Sequence, residues 1–335
     1  MSEDTQGVLM RSLQKMGLAE AASIRSMAPL TGGVSSDIWR IDFDSHSICA
    51  KRALAQLKVA ALWEAPLSRN AFEYDWYRVV APDFPQNVPT MLGRDPDAGV
   101  FFMSYLEPAD HPVWKDLLLK GVIDPEFAGQ VGLTLGQIHR RTAKDPALAE
   151  RFKSDTEFYC LRLEPYLLAT ANKHPELAQA LQAICERTAK THLALVHGDV
   201  SPKNILCRGQ QPIFLDAECA WYGDPAFDLS FCLNHLLLKM VHRPEHCQAL
   251  AQSFLKLSEN YLQAVQWESL ESFEQRAALL LPALLLARVD GKSPVEYLKQ
   301  DHQHQTVRQI ARACLGQPAV KIGEVLDHTL KALHA

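Results

Sequence analysis

His197-Gly198-Asp199-Val200-Ser201-Pro202-Lys203-Asn204, followed downstream by Leu215-Asp216-Ala217-Glu218, decides how this chain reads. Leu193 to Val196 and Pro212 to Leu215 are short apolar runs bounded by polar or turn residues, the pattern of buried strands. The acids therefore fall at strand ends, over a cleft. A loop carboxylate, an amide five positions later and an acid after the next hairpin are what phosphoryl transfer requires. Its transition state is loose, so a protein contributes mainly position and charge. On that template Asp199 orients the acceptor hydroxyl and takes its proton. Asn204 and Asp216 are the hard oxygen ligands for Mg²⁺ between the phosphates of ATP, and Glu218 assists through a second metal or its waters. The plainer alternative is a turn beside a surface acid; two motifs in the right order weigh against it.

The stretch from Leu195 to about Leu237 resembles the aminoglycoside phosphotransferase and choline kinase superfamily, which carries His-Gly-Asp where protein kinases carry His-Arg-Asp. Asp216-Ala217-Glu218 with Trp221-Tyr222-Gly223-Asp224-Pro225-Ala226-Phe227-Asp228 further resembles the methylthioribose kinase and choline kinase branches, where the acid pair is Asp-x-Glu. The resemblance implies an α+β, protein-kinase-like fold with two lobes: a small antiparallel-sheet N-lobe, residues 1–107, and a large, mostly helical C-lobe, residues 108–335. Asp228 resembles the buried Asp that holds the catalytic-loop backbone in this fold. His197 is expected to support the loop in the same way.

From Asp216 to the helix start at Asp224-Pro225, an N-cap followed by Pro at the first helical position, only a few residues intervene. A peptide-binding activation segment does not fit there. The acceptor expected is a small hydroxylated molecule.

Upstream, Ile24 to Leu30, Asp37 to Phe43 and His46 to Ala50 read as three short strands. Thr31-Gly32-Gly33-Val34-Ser35-Ser36 joins the first two; Gly32 and Gly33 let backbone amides approach phosphate oxygens, and Ser35 adds a hydroxyl donor. A plain hairpin turn is the alternative. Lys51 ends the third strand, as the phosphate-binding Lys does in kinases. Ser68 to Val80 reads as a helix with Phe72, Trp76 and Val79 on one face, from which Glu73 reaches Lys51; Asp75 and Glu64 are the alternatives. Val100 to Leu106 is an apolar strand stopped by Glu107-Pro108. In this architecture its end lies against adenine, with backbone groups near Ser104 to Leu106 pairing with the base and Met103 walling the pocket.

The remainder reads as helical. Asp124-Pro125 starts a helix with Phe127, Val131, Leu135 and Ile138 as its core stripe, and His139 on it is a packing residue. Another helix is expected from Pro175. The apolar Ala277 to Ala287 contains Pro282 and is too short for a hydrocarbon core of about 30 Å, so it reads as a buried helix. Ser293 and Glu296, with Pro294 between, read as a capping box opening a further helix. Arg288 and Asp290, at a helix end in the lobe where the superfamily builds acceptor pockets, are candidates for binding the acceptor, the alternative being a local salt bridge. Lys203 is a third candidate at the transferring phosphoryl group.

The 335 residues, 47% apolar and 22% charged, suit about two units with their own cores. A net charge of −5 without a dense basic patch argues against nucleic acid and leaves the charge of the acceptor open. The eight cysteines show no Cys-x-x-Cys spacing and read as reduced core thiols; the Met-Ser-Glu-Asp start lacks a signal peptide, and a cytoplasmic protein without membrane association is expected. The reading is an ATP- and Mg²⁺-dependent kinase of an amino alcohol, sugar, hydroxy amino acid or aminoglycoside-like molecule. Its rivals are a pseudokinase or nucleotide-binding module and a kinase-like enzyme that modifies protein.

Overall fold

The computed structural model describes residues 5–18, 23–30, 36–54 and 68–334. Helix α1 (Thr5–Lys15) precedes strands β1 (Ile24–Leu30), β2 (Ser36–Phe43) and β3 (Ser47–Ala53), helix α2 (Arg69–Val80), and strands β4 (Met91–Asp95) and β5 (Val100–Ser104). The strands form one antiparallel sheet in the order β1-β2-β3-β5-β4. Alternation along β3 decides which face does what. Ile48 and Ala50 join Ile41, Val100 and Phe102 in a small core covered by Val8, Leu9 and Leu13 of α1. Cys49 turns the other way, into the core that holds Trp76 and Tyr77 of α2. Lys51 shares that second face, opposite Ile38 and Phe101 in register.

Sequence patterns left α1 and β4 unmarked. Helix α1 has only Val8, Leu9 and Leu13 as a buried apolar stripe, and it is tied to the end of β4 by Ser12 and Lys15, each 2.8 Å from the Asp95 carboxylate. Strand β4 is short, contains Gly93 and lies at the sheet edge, so it has little alternation to read. Strand β5 ends at Ser104 rather than Leu106, because Ser104 closes the ladder by exchanging bonds with Thr90: its amide donates to the Thr90 carbonyl and its hydroxyl accepts from the Thr90 amide.

Below the sheet come helices α3 (Trp114–Leu119) and α4 (Pro125–Thr142), and the C-terminal part adds the helices Pro225–His242, Cys247–Leu262, Leu270–Asp290, Asp301–Gly316 and Ile322–Leu333. Asp124 and Asp224 cap their helices through Oδ1, accepting from the Glu126 and Ala226 amides at 2.9 and 3.0 Å. Helix α4 lies so close to Cys247–Leu262 that a Cβ on Gly132 would stand 2.0 Å from the Leu257 carbonyl oxygen. The Pro225–His242 helix is buried on nearly all sides and forms the axis of this core. Of two short two-stranded sheets, β6 (Ala194–Val196) with β9 (Trp221–Gly223) sits against it, and β7 (Ile205–Arg208) with β8 (Gln211–Phe214) sits against α3 and α4.

Two further expectations need correction. The chain after Pro175 first makes a single 3₁₀ turn, and the α-helix runs from Ala178 to Lys190. The capping box at Ser293 and Glu296 does not form, and residues 291–300 are not helical. Arg288 takes Ser293, the Val295 amide folds back onto the Arg288 carbonyl at 2.9 Å, and Lys115 takes Glu296. A capping box forms seven residues later instead, where Gln300 and Gln303 cap each other across the start of Asp301–Gly316. Among the described residues no helix is long and apolar enough to cross a membrane. All eight cysteines are free thiols, seven of them buried.

Candidate active site

The loop between β6 and β7 is shaped by one carboxylate. Asp228 is fully buried in the first turn of Pro225–His242, and its two oxygens accept from the His197 and Gly198 amides at 2.7 and 2.8 Å. His139 completes its shell, with Nε2 at 3.2 Å and Nδ1 2.6 Å from the Tyr261 hydroxyl. The turn needs glycine: Gly198 has φ +77°, and a Cβ there would lie 2.4 Å from the Cys219 carbonyl oxygen. His197 has a fixed tautomer. Its Nδ1 accepts from the Asp199 amide at 3.2 Å, so Nε2 carries the proton and donates to the Leu215 carbonyl at 3.0 Å. One ring thus ties the loop to the strand end bearing Asp216.

Asp199 emerges from this scaffold almost buried, with Oδ2 3.1 Å from Arg162 Nη2 and 3.2 Å from Lys203 Nζ. Lys203 is half exposed, and the neighbouring Asp199 carboxylate raises its pKa above the ordinary lysine value. Arg162 lies on a widened, π-helical stretch, Tyr159–Leu168, and also bonds the Gly198 and Leu161 carbonyls. The sequence reading missed it, because nothing local distinguishes an arginine in an apolar helix from a solvated one. Its position three residues before Pro165, a proline inside a helical stretch, is the only hint.

Asp216 has φ +67°, a conformation rare for a residue with a side chain, and its amide donates to the Tyr77 hydroxyl at 2.8 Å. Lys51 Nζ contacts the Asp216 carboxylate and stands 2.7 Å from Glu73 Oε1, so the strand-end lysine and the helix glutamate meet inside the cleft. Of the alternatives to Glu73, Asp75 faces Arg151 at 2.8 Å and Glu64 lies outside the described residues. Burial opposes the charge on Lys51, but Asp216 and Glu73 outweigh it and leave its pKa well above the ordinary value. Burial likewise opposes ionisation of Asp216; Lys51 and Lys203 prevail and hold its carboxyl below the usual carboxylate range.

Asn204 Nδ2 donates to the Asp199 carbonyl at 3.1 Å, which leaves Oδ1 as its free hard donor. Asn204 and the anionic Asp216 are bridged by a backbone bond, Leu215 amide to Asn204 carbonyl, at 2.8 Å. Two protein oxygens of this kind suit Mg²⁺, which takes its other ligands from phosphates and water. Glu218 is nearly buried with Oε2 3.2 Å from Nε of the fully buried Arg69, a partner that sequence reading did not identify.

Met103 is buried beside Cys49 and Met91 in register, whereas Ser104 and Leu106 are half-buried at and beyond the end of the ladder. Gly32, Gly33 and Ser35 lie outside the described residues. Asp290 is nearly buried, gripped by both arms of Arg308 at 2.7 and 2.8 Å and by His174 Nε2 at 2.8 Å. Arg288 reaches the Tyr166 hydroxyl at 3.0 Å and Ser293, with Nε left unpartnered.

A pattern for the phosphotransferase enzyme family matches residues 26–239, which include every part of this cleft from β1 to the Asp228 helix. The chain belongs to that family. Among relatives of this phosphotransferase-family chain, a methylthioribose kinase of Erwinia tasmaniensis is 26% identical over 223 residues, covering 59% of this chain and 55% of that protein. One from Escherichia coli O45:K1 is 26% identical over 236 residues, covering 62% and 56%. The chain thus spans about half the length of the curated relatives it matches. A choline kinase structure from Cryptosporidium parvum Iowa II superposes with a TM-score of 0.56 at 12% identity, covering 97% of this chain and all of that one. The fold is therefore the protein-kinase-like, two-lobe α+β fold.

Two outcomes follow from these contacts. Asp290→Ala leaves Arg308 and the buried His174 without their shared anion, so a loss of about 2 kcal/mol or more in unfolding free energy is expected, read by chemical denaturation. Burial lowers the pKa of His197 and also that of His235, where Arg288 and Lys239 add to it. The unfolded chain binds these protons near pH 6.5 while the folded chain refuses them, so stability is complete above about pH 6.5 and falls as pH drops below it. A denaturation midpoint that stays constant between about pH 8 and pH 5 contradicts this.

Proposed function

We propose that this protein is an ATP-dependent kinase that moves the γ-phosphoryl group of Mg²⁺-ATP to a hydroxyl of a small molecule. The observation that carries the reading is convergence: Asp199, Asn204 and Asp216, from a loop and a strand end, meet Lys51 and its partner Glu73, from the sheet and α2. Membership of the phosphotransferase family and the names of its methylthioribose kinase relatives support the same reaction.

In this reading Lys51, held by Glu73, binds the α- and β-phosphates, so the contact of Lys51 with Asp216 gives way when nucleotide enters. Asn204 and Asp216 would hold Mg²⁺, which when bound would supply positive charge to the transferring phosphoryl group. Glu218, anchored by Arg69, would assist through a second metal or its waters. Asp199 aligns the acceptor hydroxyl and takes its proton; Arg162 fixes the carboxylate's direction, and Lys203 is placed to follow the phosphoryl group. Backbone groups near Ser104 and Leu106, with Met103 behind them, receive adenine, and Gly32, Gly33 and Ser35 cover the phosphates. The lobes divide at residues 107/108. Asp290 serves stability through Arg308 rather than the acceptor. The short path from Asp216 through β9 to the helix at Pro225 leaves no room for a peptide-binding segment, which favours a small acceptor.

The test is ATP consumption against amino alcohols, pentoses including methylthioribose, hydroxy amino acids, aminoglycosides and macrolides. Stimulated turnover that yields a phosphorylated acceptor supports the reading. Mg²⁺-dependent ATP binding with no turnover on any acceptor would replace it with a nucleotide-binding module.

A further inference from the structure

Lys239 is buried, 1% exposed, in the middle of the C-lobe. Among the described residues it has no carboxylate within ion-pair distance; its ammonium lies 4.9 Å over the Tyr297 ring. One turn earlier on the same helix face, His235 is buried with no hydrogen-bond partner among the described residues. The largest charge effects on the His235 ring come from Arg288, Lys239, Lys203 and Lys115, all positive. The carboxylate that acts on Lys239, Glu296, is already tied to Lys115. Two further donors here are unsatisfied and buried: Arg288 Nε and the Tyr297 hydroxyl. A buried cation without a counter-ion is costly, and an unpaired buried donor adds to that cost. Burial, with Lys115 alongside, pushes the Lys239 pKa down to about 7.

This cluster adjoins the reacting carboxylate. Arg162, bonded to Asp199, lies 5.8 Å from the Tyr166 ring centre and 5.7 Å from that of Phe231. Arg288 lies 5.7 Å from the same Tyr166 ring, and His235 5.5 Å from Phe231. The same two aromatic side chains, Tyr166 and Phe231, thus neighbour both the Asp199 side and the cationic side. Lys203 belongs to both: it pairs with Asp199 and acts on His235.

We propose that the hydroxylated acceptor carries an oxyanion, a carboxylate or a phosphate, seated on Lys239, His235 and Arg288 while its hydroxyl faces Asp199. This rests on the kinase reading and narrows it. A net charge of −5 leaves the acceptor's charge open, and the local field decides it: the seat is positive, repels an amine, and offers an oxyanion charge-assisted bonds from Lys239 and Arg288. Bonds from the unsatisfied Arg288 Nε and Tyr297 hydroxyl would add direction to the charge.

The experiment uses the full chain saturated with Mg²⁺-ADP for binding, or supplied with Mg²⁺-ATP for turnover. The probes are glycerate, gluconate, glycerol 3-phosphate, inorganic phosphate, glycerol and choline. Expected is calorimetric binding of at least one anionic probe, with turnover of an anionic hydroxyl compound at least about tenfold above glycerol and choline. Lys239→Met and, independently, Arg288→Met should raise the KM of that acceptor about tenfold or more at unchanged KM for ATP. Measuring both variants keeps the test valid if one fails to fold. Preference for carboxylates over phosphates, or the reverse, identifies the oxyanion. Turnover of neutral or cationic acceptors with the anionic ones inert overturns the inference and leaves the kinase reading standing. Anion binding that Lys239→Met abolishes, without turnover of any probe, supports the seat while removing support for the kinase reading. No anion binding and no anionic turnover, or a folded Lys239→Met with wild-type KM, overturns the seat.

Discussion

Asp199→Asn is expected to lower turnover with the true acceptor by about two orders of magnitude or more, while the fold and the affinity for Mg²⁺-ATP stay near wild type. The substitution keeps the shape and the contact with Lys203 but removes the negative charge that aligns the hydroxyl and receives its proton. Two features of the site make the loss specific. The Asp199 backbone is held by His197 and, through the preceding amides, by Asp228, so the side chain change does not move the loop. Nucleotide contacts are assigned to Lys51, Asn204 and Asp216, none of which depends on the Asp199 side chain. Steady-state kinetics with nucleotide titration by calorimetry checks this, and turnover within a few-fold of wild type would show that another group orients the hydroxyl.

Asp216→Ala is expected to abolish Mg²⁺-dependent ATP binding, a loss of about a hundredfold or more in affinity. The proposed metal site has few protein oxygens, and Asp216 is its anionic one. Removing it also frees Lys51 to pair with Glu73 alone, so the folded state survives. Calorimetry with ATP in Mg²⁺ and in chelator separates the metal-dependent part; unchanged Mg²⁺-ATP affinity would remove Asp216 from the metal site. Asp216→Asn makes a sharper comparison, since it keeps a hard oxygen and the backbone bond to Tyr77 but loses the charge.

Much of this site was legible because its residues are close in sequence or obey local rules. His197 to Asn204 is a continuous loop, and a loop has to present some of its side chains. Asp124-Pro125 and Asp224-Pro225 announced helix starts through cap chemistry that needs no tertiary partner. Lys51 stands out at its strand end by its likeness to the phosphate-binding Lys of kinases and Glu73 by its position on the helix, and the fold pairs them. Where local rules had a competing tertiary partner they failed: Ser293 and Glu296 have the spacing of a capping box, but Arg288 and Lys115 claim them first. Arg69, Tyr77 and Arg162 went unmarked because their roles exist only through partners 149, 139 and 36 positions away in the chain.

The sequence by itself determined the loop motif, the helix starts and the strand and helix faces that carry Lys51 and Glu73, since each follows from backbone propensity and side-chain period within a few residues. Only the tertiary structure decided that Asp228 and His139 lock the loop from within the core, that Arg162 fixes Asp199, and that Lys239 and His235 stand buried without an anion beside them. The physical reason is that charge balance and desolvation are properties of a neighbourhood in space. A lysine in an apolar helix has no local signature of being unpaired until the fold shows which carboxylates are out of its reach.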